Sequence, residues 1–268
     1  MIAQGRHAEV EELVAEVAVT NTGGTDVLLQ GGKVRQLVEA APASWTVGDL
    51  FSPALSQVTL FVTSVWVVCA FSYYGHVFSY PLALEERYHM ELEGQYFAVF
   101  LAAAAELPGL LVAMLIIDAD GVGRRLTLLF FFLAASATAL VVPFLLDSTS
   151  FLIGNMVLKG LINTPFCVMY IFAAELFPTT HRASGIALTS SASRVAGALS
   201  PVITAWSITQ SITLTYQLFA IAMGIGAMTC ISFDFETSKS QLSNFAGDVM
   251  SNVSKQPERR PLLPKGAA

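Results

Sequence analysis

Six apolar runs, each about long enough to cross a bilayer, fill the chain between Val58 and Phe233. They extend over Val58 to Tyr80, Tyr96 to Ile117, Leu126 to Leu146, Phe151 to Phe172, Ile186 to Ile208 and Leu214 to Phe233. At helical rise each covers a hydrocarbon core of about 30 Å. A soluble domain of this size with 54% hydrophobic and only 13% charged residues would lack the polar surface it needs. The expected fold is therefore all-α, a polytopic membrane bundle of six transmembrane helices.

The charges between the runs orient it. An even number of crossings puts both termini on one side. With the N-terminus in the cytoplasm, Arg6, Lys33, Arg35, Arg124, Arg125, Arg182, Lys239, Lys255, Arg259, Arg260 and Lys265 all fall inside, and Arg87 alone falls outside. No charged leader with a short apolar core opens the chain, so the first membrane helix is expected to direct insertion itself. The net charge of -6 draws on Glu9, Glu11, Glu12 and Glu16 and on Glu85, Glu86, Glu91 and Glu93, which argues against a nucleic-acid partner. Cys69, Cys167 and Cys230 sit inside membrane runs without metal or redox spacing and read as packing residues. His7, His76, His89 and His181 are scattered, and no nucleotide loop is present, so no enzyme constellation and no cofactor are expected.

Three regions follow. Residues 1–50 form a cytoplasmic preface in which Val10, Leu13, Val14 and Val17 recur at helical spacing opposite an acidic face suited to protein docking. Residues 51–237 hold the six-helix bundle, its turns short except for an outer loop of about fifteen residues after Tyr80. Residues 238–268 have too few apolar side chains to fold alone and read as a cytoplasmic tail. Prolines 108, 143, 165 and 201 fall inside four of the runs, where such breaks mark kinks near a cavity or simple packing adjustments.

Two turns on the cytoplasmic side carry chemistry. Asp120-Gly121-Val122-Gly123-Arg124-Arg125 combines glycines for a tight turn with a carboxylate and paired guanidiniums. In Glu175-Leu176-Phe177-Pro178-Thr179-Thr180-His181-Arg182, Pro178 stops one helix and places Arg182 within reach of Glu175. Phe235-Glu236-Thr237-Ser238-Lys239 follows the last run.

In this order the three motifs resemble the C-terminal half of the major facilitator superfamily. The likeness lies in the branch of sugar porters, organic ion transporters and synaptic-vesicle-two-related proteins, above all the last. It rests further on Asp49-Leu50-Phe51-Ser52-Pro53, Ala70-Phe71-Ser72-Tyr73-Tyr74-Gly75, Ala105-Glu106-Leu107-Pro108-Gly109-Leu110-Leu111 and Ser193-Arg194-Val195. The family's turn usually reads D-R-x-G-R-[RK]; here Gly121 replaces the first Arg. The resemblance implies a secondary transporter working by alternating access, with substrate bound at the midplane between two six-helix halves. Only the second half is present, and Met1 falls where the long central loop would be. Two accounts stay open: a fragment, or a chain that pairs with a separate first half or a second copy.

Ionisable residues inside membrane runs are costly and mark function by default. Three are charged side chains: Glu106, Lys159 and Arg194. One reading makes Glu106 and Arg194 structural partners, or lets Lys159 snorkel outward. The other has Arg194 face an aqueous cavity and bind an anionic substrate group, as the resemblance to organic anion transporters implies, with Glu106 as proton carrier. Two bases against one acid favour an organic anion. Tyr73, Tyr74, Asn163, Phe166 and Tyr170 are candidates for stacking and hydrogen bonding around a substrate, the last three sharing a helical face.

The resemblance also implies a gating latch of Glu175 and Glu236 against Arg124, Arg125 and Arg182, with Asp120 and Gly123 shaping the turn. In the tail, Glu258 and the pair Leu262-Leu263 match an acidic dileucine signal. That implies clathrin-adaptor-type sorting partners and an endosomal, lysosomal or vesicle membrane. A further reading from a different class is a six-helix membrane protein that regulates a full-length transporter without transporting.

Overall fold

The computed structural model describes residues 47–117, 119 and 122–233. Residues 1–46 of the preface, Asp120, Glu236 and the dileucine residues Glu258, Leu262 and Leu263 lie outside the described residues. Those described form seven α-helices and no strand. A 3₁₀ turn, Val47–Phe51, precedes α1, Ser56–Tyr88. Then come α2, Leu92–Ala104; α3, Glu106–Ile116; α4, Gly123–Val141; α5, Ser148–Leu176; α6, Arg182–Gln210; and α7, Ile212–Ser232. Helices α2 and α3 together make one crossing, so the six expected spans are present, each long and apolar enough to cross a membrane. The end carrying Arg124, Arg125 and Arg182 is called the basic end below.

Local chemistry sets most boundaries. Pro108 has no N–H to give the Ala104 carbonyl four residues back, and the second span breaks at Ala105 between α2 and α3. The Asp147 carboxylate accepts from the Ser150 N–H at 3.0 Å and starts α5, and the Ser211 hydroxyl accepts from the Thr213 N–H at 3.1 Å at the start of α7. Pro143 does not kink a helix as expected: it falls in a 3₁₀ turn, Val142–Phe144, that ends α4.

Nor does the long loop after Tyr80 form. Helix α1 continues through Pro81 to Tyr88 and ends in a left-handed residue, His89 (φ 47°), leaving only His89, Met90 and Glu91 before α2. The extension is held because Ala83 and Leu84 are buried while Glu85 and Glu86 point outward. Arg87 at its end donates to the Pro143 carbonyl at 2.9 Å and lies over the Phe151 ring.

The core runs along α1, α4, α5 and α7, with Trp66, Tyr80, Tyr216, Phe61, Phe132, Phe151, Phe172 and Phe219 fully buried. Helix α1 packs most extensively on α6, and α5 touches α1, α3 and α4. A side chain at Gly160 of α5 would meet the Ala105 carbonyl at 2.8 Å, so its absence lets α5 approach the break in the second span. The spans α2–α3 and α6 keep most of their surface outside the bundle.

Candidate functional site

The break at Ala105 puts Glu106 on the first turn of α3, facing α5. Its carboxylate lies 3.3 Å from the Lys159 Nζ and accepts from the Tyr73 hydroxyl at 3.3 Å. Lys159 in turn sits over the Tyr73 ring, 3.5 Å from its centre. Lys159 is only 4% exposed, so it does not snorkel to the surface. Glu106 is partnered by Lys159, not by Arg194. The charge pair is loose: although close, Nζ has no well-aligned hydrogen-bond acceptor.

Aromatic rings surround one side of the pair. Phe166 stacks on Tyr73 at 6.0 Å between centres, Tyr74 meets Tyr73 edge-on at 5.4 Å, and Phe166 and Tyr170 both lie edge-on against Trp66. The structure thus brings Tyr73, Tyr74, Glu106, Lys159, Phe166 and Tyr170 into one cluster. Tyr74 and Tyr170 are exposed at its rim, while Asn163 is buried, one turn from Lys159 on α5. Arg194, on α6, is joined to this cluster by no hydrogen bond or ion pair, although Gly197 one turn along lies against Tyr74. It is exposed and has no hydrogen-bond or ion-pair partner among the described residues.

One feature of the cluster escaped the sequence reading. One turn from Tyr73 on α1 is His76, and one turn from Lys159 on α5 is Asn155; the two bond at 3.1 Å, buried. The Asn155 amide donates to the Phe151 carbonyl, and its oxygen also accepts from the Tyr216 hydroxyl at 2.6 Å. An oxygen only accepts, so the His76 Nε2 carries the hydrogen and Nδ1 presents a bare lone pair, buried and without a partner. Spacing was the available signal: Tyr73 with His76, and Asn155 with Lys159, share helix faces.

At the basic end, Gly123 takes φ 68°, a conformation that favours glycine, and turns the chain into α4. Arg124 then grips the Glu175 carboxylate with two nitrogens, at 3.1 and 3.0 Å, and gives a third hydrogen bond to the Ile117 carbonyl. Arg125 donates to the Cys230 and Ile231 carbonyls at the C-terminal end of α7. The expected Glu175–Arg182 pair does not form. Phe177 is extended, which turns the chain so that Arg182 donates back to the Phe177 carbonyl at 3.3 Å.

The Arg124–Glu175 pair is partly solvated and bidentate. Replacing Arg124 by Gln is expected to cost about 1 kcal/mol, read as a coupling energy in a double-mutant cycle with E175Q. A coupling indistinguishable from zero would reduce the pair to a topology signal.

Comparison with known proteins places this geometry. The description of the Major Facilitator Superfamily matches residues 35–265. The chain is 26% identical over 214 residues to "Putative transporter svop-1" of Caenorhabditis elegans, covering 73% of this chain and 40% of that protein. It is 28% identical over 209 residues to "Organic cation/carnitine transporter 7" of Arabidopsis thaliana, covering 73% and 41%. Over 210 residues it is 27% identical to "Synaptic vesicle 2-related protein" of Xenopus laevis, covering 71% and 38%. The chain spans about two-fifths of the length of these relatives. With six helices long and apolar enough to cross a membrane and a family match over most of its length, this chain belongs to the Major Facilitator Superfamily.

Proposed function

We propose that the bundle is the C-terminal half of a secondary transporter that moves a small organic anion by alternating access. The observation that carries the anion reading is the charge balance. Lys159 and Glu106 neutralise one another, which leaves Arg194, away from the helix ends, as the uncompensated mid-span charge among the described residues. An exposed guanidinium on a span needs an aqueous cavity or a counter-ion, and its planar fork suits a carboxylate, sulfate or phosphate.

The largely uncovered spans α2–α3 and α6 supply the face toward a first six-helix half or a second copy of this chain, with lipid on the remaining surface. Glu106 is the site for a coupled proton. Asn163 and the aromatic rings supply contacts to the substrate body. The Arg124–Glu175 grip serves as part of a latch closed at the basic end, which the positive-inside rule assigns to the cytoplasm, with Glu236 and both termini. The vesicle association named for one relative and the dileucine sequence around Leu262 and Leu263 support residence in a vesicle or endosomal membrane with adaptor-type sorting partners.

Equilibrium binding to the protein in lipid nanodiscs tests the charge preference. Radiolabelled benzoate is expected to bind and radiolabelled choline is not, with Arg194→Gln weakening benzoate about tenfold or more. Choline binding without benzoate binding would replace the anion reading by a cation one. Stable capture of a full-length relative, with neither probe bound, would put the regulator reading first.

A further inference from the structure

Among the described residues, the Glu106 carboxylate sits in the one partly buried place where a carboxylate meets an ammonium, a phenolic hydroxyl and stacked aromatic rings together. Such surroundings are those a carboxylate ligand with a planar apolar body requires: a cation and a donor for the head, ring faces for the tail. Glu106 fills the head position from within the protein, and fills it imperfectly. Both contacts are 3.3 Å long, and the ammonium lacks an aligned acceptor. It is attached to the first turn after a helix break.

We propose that Glu106 is an internal stand-in for substrate, and that an aromatic monocarboxylate takes its place on Lys159 and the Tyr73 hydroxyl as Glu106 gains a proton. This rests on the substrate being an organic anion, as read above, and moves its carboxylate from Arg194 to Lys159. The exchange conserves charge. Before it, the pocket holds the Lys159 ammonium and the Glu106 carboxylate. After it, the pocket holds the same ammonium, the substrate carboxylate and a neutral Glu106, so one proton enters with each anion. No covalent bond other than the carboxyl O–H forms.

Without that proton two carboxylates would share one buried cation, an arrangement that like-charge repulsion disfavours. The groups facing Glu106 are Tyr73 on α1 and Lys159 and Cys167 on α5, and only Lys159 is a cation.

Sign follows directly: binding takes up a proton, so it tightens as pH falls. In nanodiscs, the dissociation constant for radiolabelled benzoate is expected to rise about tenfold per pH unit wherever binding takes up one proton. Glu106→Gln, which mimics the protonated acid, is expected to bind benzoate with the wild-type acid-limb affinity and no pH slope. Lys159→Gln is expected to lose at least about tenfold in affinity.

Infrared difference spectra supply a direct readout. Adding benzoate to the wild type should produce a protonated-carboxyl band that is absent in E106Q. A pH slope that persists in E106Q, or no new carboxyl band on saturation, overturns the exchange. If R194Q abolishes binding while E106Q keeps its slope, the anion reading stands and this inference falls. If E106Q loses its slope while R194Q binds normally, the inference stands and Arg194 is not the anion site.

Discussion

Lys159→Met is expected to destabilise the bundle by about 3 kcal/mol, the lower end for breaking a buried ion pair, since Glu106 keeps some exposure. The loss comes less from the missing attraction than from what remains. Methionine fills the lysine's volume but leaves the Glu106 carboxylate with a single donor, the Tyr73 hydroxyl. The ring of Tyr73 also loses its cation. Adding Glu106→Gln removes the stranded charge and should restore most of the stability. Urea or thermal unfolding in mild detergent, followed by tryptophan fluorescence, measures the cycle. A double variant no more stable than K159M would mean that the lysine acts through packing, not charge.

A second large effect is expected at Asn155. This side chain closes three hydrogen bonds in the core, to His76, Tyr216 and the Phe151 carbonyl. Asn155→Leu keeps the volume and strands a buried imidazole N–H and a buried phenol, each costing about 1–3 kcal/mol. The expected loss is about 3 kcal/mol or more. Tyr216→Phe added to N155L should recover part of it by removing one of the two orphans. If N155L unfolds like the wild type, internal water must satisfy the pair in its place.

Both effects arise from contacts the sequence showed only in part. The six spans were legible because each apolar run exceeds what a soluble core tolerates, and the break in the second because Pro108 lacks the donor a continuous helix needs. The α1 extension was hidden by its own composition: Glu85, Glu86 and Arg87 read as a polar loop, yet Ala83 and Leu84 pack inward and carry the helix on. That Glu106, Lys159 and Arg194 mattered followed from the cost of charge in lipid. Which of them pair did not, since partner choice depends on which helices are neighbours in space. Lys159 lies 53 residues beyond Glu106, and only the close approach of α5 at Gly160 brings them together. Arg182 failed to meet Glu175 for a local reason: one extended residue, Phe177, redirects the chain after α5.

Helix α3 is an 11-residue rod with different partners at its two ends. Its first residue carries the carboxylate held by Lys159, and the carbonyl just beyond its last residue is held by Arg124, which also grips Glu175. A rod of about 16 Å pivoting by about 10° moves its far end by roughly 3 Å, enough to part a hydrogen bond. Release of the carboxylate at one end and of the arginine at the other are therefore mechanically geared through a single short lever. A signal arising at the buried pair needs no other conduit to reach the basic end.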